Sequence, residues 1–171
     1  MRRWLPHIGI ALGICIAIYA LFFGSSDEDE IRELLEQLED TVAVKEGGGN
    51  IVVRAAHIKK EFAEIFIKEV SFSIPELTRT PKGRVELAKL AANAPQLWAT
   101  ANVDLGGLTI EVDDQGVSGV AHGQATLTAT RHNGQLERDD RTVSLRLDKI
   151  EGDWRIVNVS VSPKLSTEAA P

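Results

Sequence analysis

Two runs of alternating side chains, joined by a single tight turn, close this chain and constrain its fold more than any other stretch. In Arg141 to Val161, RTVSLRLDKIEGDWRIVNVSV, Val143, Leu145 and Leu147 alternate with Thr142, Ser144 and Arg146. That period of two gives each face of a sheet its own set of side chains. Glu151-Gly152-Asp153 supplies the turn chemistry between the two runs. Beyond the turn, Trp154 and Ile156 share one parity while Val157, Val159 and Val161 share the other. The pattern predicts a strand that is apolar on both faces and central in its sheet.

A chain of 171 residues can hold one domain with a true core and an appendage. Its 43% hydrophobic and 26% charged residues argue against wholesale disorder. Charge is unevenly spread: beyond Phe23 there are 17 basic against 25 acidic side chains, a net of −8. Phosphate backbones are held by clustered Lys and Arg, so no nucleic-acid partner is expected. Cys15 is the only cysteine, which excludes an internal disulfide and a thiolate zinc site.

Cys15 lies inside the apolar run from Trp4 to Phe23, WLPHIGIALGICIAIYALFF. About twenty residues at roughly 1.5 Å each nearly span a hydrocarbon core of about 30 Å. A cleaved leader calls for a shorter apolar stretch and small residues at its end, whereas Leu21-Phe22-Phe23 is bulky to the edge. A lipoprotein leader calls for a small residue before the cysteine, and Ile14 stands there. The run therefore predicts an uncleaved single-pass anchor. Arg2 and Arg3 keep the amino terminus in the cytoplasm, opposite Asp27-Glu28-Asp29-Glu30. The expected layout is a cytoplasmic end at 1–3, a membrane anchor at 4–23, a linker at 24–26, an exported domain at 27–163 and a loose tail at 164–171, placed in an inner membrane with the domain in the periplasm.

Ser25 followed by Glu28 matches a capping box, and Ile31, Leu34, Leu35, Leu38 and Val42 then mark one face of a helix. Glu46-Gly47-Gly48-Gly49-Asn50 breaks it; no following Lys-Ser/Thr supports a phosphate cradle, so a turn is expected. A second helix carries Ile51, Ala55, Ile58, Phe62 and Ile65 on one stripe, with His57 beside it. A strand follows over Lys68 to Ile74, ended by Pro75. Thr80-Pro81 reads as the start of a third helix with Leu87, Leu90, Ala91 and Ala94 on its apolar face.

From Gln96 onward the chain is strand and turn. Leu97, Ala99, Ala101, Val103 and Leu105 share one parity, but past Gly106-Gly107 the apolar positions are Leu108, Ile110 and Val112. A β-bulge at the glycine pair explains the slip and bends the sheet. Asp113 to Gly116 turns the chain; Ala121, Gly123, Ala125, Leu127 and Ala129 then form one face, and His132 to Asp140 reads as a polar loop.

Helix, helix, strand, helix and then a four-stranded meander make an α+β fold, three helices on a curved, mainly antiparallel sheet behind the anchor. This order, with the closing Leu145 to Val159 hairpin and the strand from Ile67 to Pro75, resembles the nuclear transport factor 2-like superfamily, which includes ketosteroid isomerase and the SnoaL-like proteins. In the isomerase branch a general-base carboxylate precedes the proline that ends the first strand; the matching position here is Ile74, which cannot take a proton. That branch also sets a tyrosine donor on its first helix, while the only tyrosine here is Tyr19, in the anchor.

The helix-facing positions of the sheet, Val103, Ala125, Leu127, Val143, Leu145 and Leu147, carry no titratable group. The small residues Ala99, Ala101, Gly123 and Ala125 admit either a close helix or a pocket, and packing is the expectation. The other face is expected to carry Trp98, Asn102, His122, Gln124, Arg146 and Asn158. In the superfamily this face often serves dimerisation, so Trp98, His122 and Arg146 are candidate interface residues for a homodimer or an envelope protein. The layout is similar to VirB8-like and Mce-associated membrane proteins, which implies a non-catalytic binding or assembly domain. The alternatives are an isomerase or hydro-lyase using His57, Glu69 or His122 as its base, or a carrier of a small apolar ligand. No cofactor or metal is expected, since His57, His122 and His132 lack ligand spacing.

Overall fold

The architecture comes from a computed structural model that describes residues 26–47, 49–75 and 80–162. Helix α1, Asp27–Val42, begins on a capping box one residue later than the sequence pattern suggests. Ser26 Oγ accepts the Asp29 N–H at 3.2 Å and Asp29 Oδ2 accepts the Ser26 N–H at 3.3 Å. Two otherwise unsatisfied donors are thereby used, and four acidic residues in the first turn suit the positive end of the helix. Ile31 and Leu35 are fully buried. The expected anchor at 4–23, the linker residues before Ser26 and the tail at 164–171 lie outside the described residues; among the described residues no helix is long and apolar enough to cross a membrane.

Helix α2, Ile51–Ile65, is capped by Asn50, whose Oδ1 accepts the Val52 N–H at 2.8 Å. It buries Ile58, Phe62 and Ile65, and it runs directly into strand β1, Phe66–Ser73. The Phe62 and Phe66 rings meet edge-on at 5.0 Å across that junction. Helix α3, Gly83–Asn93, starts later than Thr80-Pro81 and has Lys82 at its cap. The reason is close packing on β1: Gly83 takes φ +70°, and a Cβ there would stand 2.7 Å from the Lys68 carbonyl oxygen. On this helix Leu87, Ala88, Ala91 and Ala92 face inward while Leu90, expected on the apolar face, is 59% exposed.

A short 3-10 turn at Ala94–Gln96 leads into β2, Trp98–Val112, followed by β3, Ser118–Arg131, β4, Leu136–Ile150, and β5, Asp153–Val161. The sheet order is β1-β5-β4-β3-β2. All pairs are antiparallel except β1 with β5. Register shifts between Gly106 and Thr109, as the phase slip implies, and Gly107 takes φ +62° there.

Three other sequence expectations change. The segment expected as a polar loop up to Asp140 is strand from Leu136, pairing with Thr126 to Thr130. Its polarity reflects a ribbon that extends beyond the helix layer, where both faces carry ion pairs such as Arg131 with Glu137 and Arg138 with Asp140. The second change is in β5, which is interior to the sheet but not apolar on both faces by design. Register against β4 shifts at Val157, so Trp154 and Ile156 before the bulge, and Val159 after it, all meet the core. The third is Trp98, expected on the outer face. Register shifts at Ala99, and Trp98 packs on the helix side with Val44, Ala101 and Ala129.

Two clusters make up the interior. The main one gathers Ile31, Leu35, Ile58, Phe62, Ile65, Phe66, Leu147, Trp154 and Ile156 between the helices and the sheet. The smaller one lies under Val44, which bridges to Ala101 on the open edge of β2.

Candidate functional site

Between α1, α3 and the curved sheet the side chains fail to meet, and a cavity of about 310 Å³ remains. Its helical wall is Leu38, Glu39 and Val42 of α1, Phe62 of α2, and Leu87 and Ala91 of α3. The sheet wall includes Val103 and Leu105 of β2, Ala125 of β3, and Val143 and Leu145 of β4, with Phe66, Phe72, Ile74 and Val159 closing the far side. The hollow lies on the near side of the bulge at Gly106-Gly107: Val103 and Leu105 line it, whereas Leu108, Ile110 and Val112 beyond the bulge pack on the main core. The small residues divide by role. Ala101 admits Val44, and Gly123 admits the Gly106 carbonyl and Leu108, each within 2.9 Å of where a Cβ would stand, whereas Ala125 opens onto the cavity.

One titratable group lines this space among the described residues, and the sequence pattern did not single it out. Glu39 follows Ile31 and Leu35 at intervals of four, so it continues the ridge whose earlier members are wholly buried. That ridge position is the signal that could have found it. Its Oε1 accepts the Leu105 N–H at 2.5 Å. Burial is the largest influence on its acidity and pushes the carboxyl above its ordinary range; the Leu105 N–H works against this, and the nearby charges of Asp104, Glu36 and Asp40 reinforce it.

The candidates named from sequence do not converge on the cavity. His57 is a surface residue of α2, 3.6 Å from Glu61 Oε1. Glu69 is 79% exposed on β1, beside Lys68 at 3.6 Å. His122 and Arg146 lie on the outer sheet face, away from the helices, where both are exposed. Trp98 is separated from them by the sheet, and its Nε1 donates to Glu137 Oε2 at 3.4 Å. Ile74, where the isomerase branch has its carboxylate, does line the cavity with an aliphatic side chain.

A wider groove of about 600 Å³ runs between α1 and the β4-β5 turn, bordered by Glu30, Glu33, Gln37, Glu64 and Arg155. Its lining is mostly charged and polar, that of a hydrated surface, so the apolar cavity is the better binding site. Among the described residues no three His, Cys, Asp or Glu side chains group as metal ligands.

The SnoaL-like domain profile matches residues 56–160. A search of the curated proteins finds no match. Solved structures share the fold. A nuclear transport factor 2-like superfamily protein from Salmonella enterica serovar Typhimurium is 22% identical with a TM-score of 0.64, covering 84% of this chain and 95% of that one. An NTF2-like protein with a cystatin-like fold from Novosphingobium aromaticivorans is 16% identical with a TM-score of 0.62, covering 99% and 95%. A protein from Kribbella flavida is 10% identical with a TM-score of 0.64, covering 80% and 89%.

Proposed function

The chain belongs to the SnoaL-like domain family, which has enzymatic and binding members, and from that premise we propose a non-catalytic domain that holds a small apolar molecule in its helix-sheet cavity. The observation that carries this reading is the lining: some 310 Å³ walled by aliphatic and phenyl groups, to which Glu39, the one titratable residue among the described lining residues, contributes its methylenes while its carboxylate turns to the Leu105 N–H. A volume near the bottom of the usual range for ligand pockets suits a compact ligand. A lone carboxylate could take up a proton, but proton abstraction also needs a donor to hold the charge that develops on the substrate. No described lining residue offers one, which weighs against isomerase or hydro-lyase chemistry.

Membrane tethering through Trp4 to Phe23 is part of the same proposal, resting on the length of the apolar run and its basic flank. A tethered binding domain in the envelope meets apolar molecules where they partition. Assembly with a second copy is also proposed, through the outer sheet face, where Arg146 and Asp148 alternate in sign along β4. An alkaline phosphatase fused to the carboxyl end reports the orientation; normal expression without activity would refute an exported domain.

The ligand reading is tested by titrating the full chain, in lipid nanodiscs, with ethylbenzene while following the methyl signals of Leu38, Val143 and Leu145. Saturable shifts are expected, and Ala125→Phe should remove them by filling the space. Unchanged methyl signals in the native chain would sink the reading.

A further inference from the structure

Helices α2 and α3 leave a groove of about 470 Å³ between them, which shares no lining residue with the cavity under the sheet. The two helices run antiparallel: Arg54 of α2 donates to the Ala91 carbonyl of α3, while Arg84 of α3 donates to the Ala63 carbonyl of α2. We infer that this groove binds a single-chain anionic amphiphile, its alkyl chain along the groove and its carboxylate or phosphate head between Lys59 and Lys89. Ala55 and Ala63 line one wall and Ala88 and Ala92 the other, with Val85 at the Arg84 end. Side chains this short leave a volume within the range of ligand pockets. Of the nine large hydrophobic side chains exposed among the described residues, five stand on these two helices: Ile51, Val52, Val53, Val85 and Leu90. Apolar surface concentrated in this way marks a place where an apolar body docks.

Charge decides the class of head group. The chain beyond Phe23 carries a net charge of −8, yet the charged side chains that line this groove are Lys59, Arg84 and Lys89, all of them basic. Arg84 is occupied by the Ala63 and Phe66 carbonyls at 3.2 and 2.9 Å. Lys59 and Lys89 are exposed and enter no hydrogen bond or ion pair among the described residues. The acids at the end of α2, Glu61 and Glu64, pair with Lys60 instead, at 3.2 and 3.7 Å. Glu86, one turn before Lys89, accepts the Lys82 N–H at 2.9 Å. Two free ammonium groups on opposite walls of an apolar groove suit an anion that carries its own hydrocarbon. A cationic amphiphile meets repulsion there, and a neutral one leaves both ammonium groups to water.

Octanoate, octanol and octylamine share one chain and differ in the charge of the head. Each is titrated into the full chain in phosphatidylcholine nanodiscs while the methyl signals of Ala55, Ala63, Ala88 and Ala92 are followed. Octanoate should give saturable shifts and bind about tenfold more tightly than octanol, the scale of one charged hydrogen bond, with octylamine weakest. Lys59→Gln combined with Lys89→Gln should bring octanoate to within about twofold of octanol. Salt at about 1 M should do the same to the native chain, since it screens charges beyond about 3 Å. Unmoved methyl signals, equal binding of the three probes, or a preference for octanoate that survives the double substitution overturns the inference. Movement of the same signals in nanodiscs of anionic lipid with no probe added also overturns it, because the surface is then a bilayer contact. If the double variant fails to fold, the ranking of the probes and its salt dependence on the native chain decide alone. The cavity reading stands or falls separately, on the methyl signals of Leu38, Val143 and Leu145.

Discussion

The Glu39 carboxylate accepts the backbone N–H of Leu105 at 2.5 Å, so a side chain of the first helix closes the open edge of β2 at the point where the sheet begins to bend. Four residues earlier on β2, Val44 does the same by exchanging backbone hydrogen bonds with Ala101 at 2.7 and 3.0 Å. An exposed strand edge invites pairing with other chains, and here it is covered from the helix side. The carboxylate thus protects an edge while the aliphatic part of the same side chain lines the cavity.

Glu39→Gln should raise thermal stability at neutral pH. Burial holds the folded carboxyl above its ordinary value of 4.5, so the native state binds its proton more readily than the unfolded chain. Stability contributed by this group therefore rises as pH falls through the raised value and levels off below 4.5. The variant should melt a few degrees higher at pH 7, with the gap narrowing on acidification. Melting curves across this range check it; a variant less stable at neutral pH would contradict the burial argument.

Asp27→Asn should have the opposite pH signature. Asp27 Oδ1 accepts Lys149 Nζ at 2.6 Å and Trp154 Nε1 at 3.2 Å, and the hydrogen bond from Lys149 is the main cause that holds its carboxyl below the usual range. That stabilisation is present above the unfolded value of 3.8 and is lost as pH falls through the depressed folded value. At a site 34% exposed the loss at neutral pH should be about 0.5–1 kcal/mol. Urea titrations at neutral and strongly acidic pH should show the difference vanish in acid.

Arg54→Met should cost more. The guanidinium donates to the Ala43 carbonyl at 2.8 Å, to Val42 at 3.1 Å and to Ala91 at 3.3 Å, tying the end of α1 to α3. These carbonyls include the negative end of a helix, which a cation complements. Removing the donor leaves them part-buried and unmet, a loss of about 2–3 kcal/mol. Chemical denaturation measures it, and hydrogen exchange should speed up in α3 more than in β3.

Gly83→Ala tests why α3 starts where it does. The new Cβ would meet the Lys68 carbonyl at 2.7 Å and demand a φ of +70° from an L side chain. A destabilisation of about 1–3 kcal/mol is expected. Gly47→Ala, where φ is +83° but nothing lies within 4 Å, should cost less, and the difference isolates the clash.

Periodicity foretold the element types, the bulge at Gly106-Gly107 and the helix-facing set on β4, because each depends on neighbours within a few residues of the chain. It misplaced Trp98 and misread β5 because a bulge at Ala99 or Val157 leaves no composition signature: neither position holds glycine, and only the partner strand reveals the extra residue. The ribbon from Leu136 to Asp140 was mistaken for a loop since alternation in polarity carries no information where both faces are charged. His57, Glu69 and His122 have side-chain chemistry that suits a base, but chemistry alone carries no position, and the fold scatters them over three surfaces.

What the sequence determined by itself was the order of the elements, the family they belong to and the absence of a titratable group on the helix-facing side of the sheet around the hollow. Only the tertiary structure decided that these elements leave a hollow and that Glu39 stands at its rim. A cavity is the space that remains when bent strands and tilted helices cannot close, so its size depends on crossings between residues far apart in sequence. No local period encodes that distance.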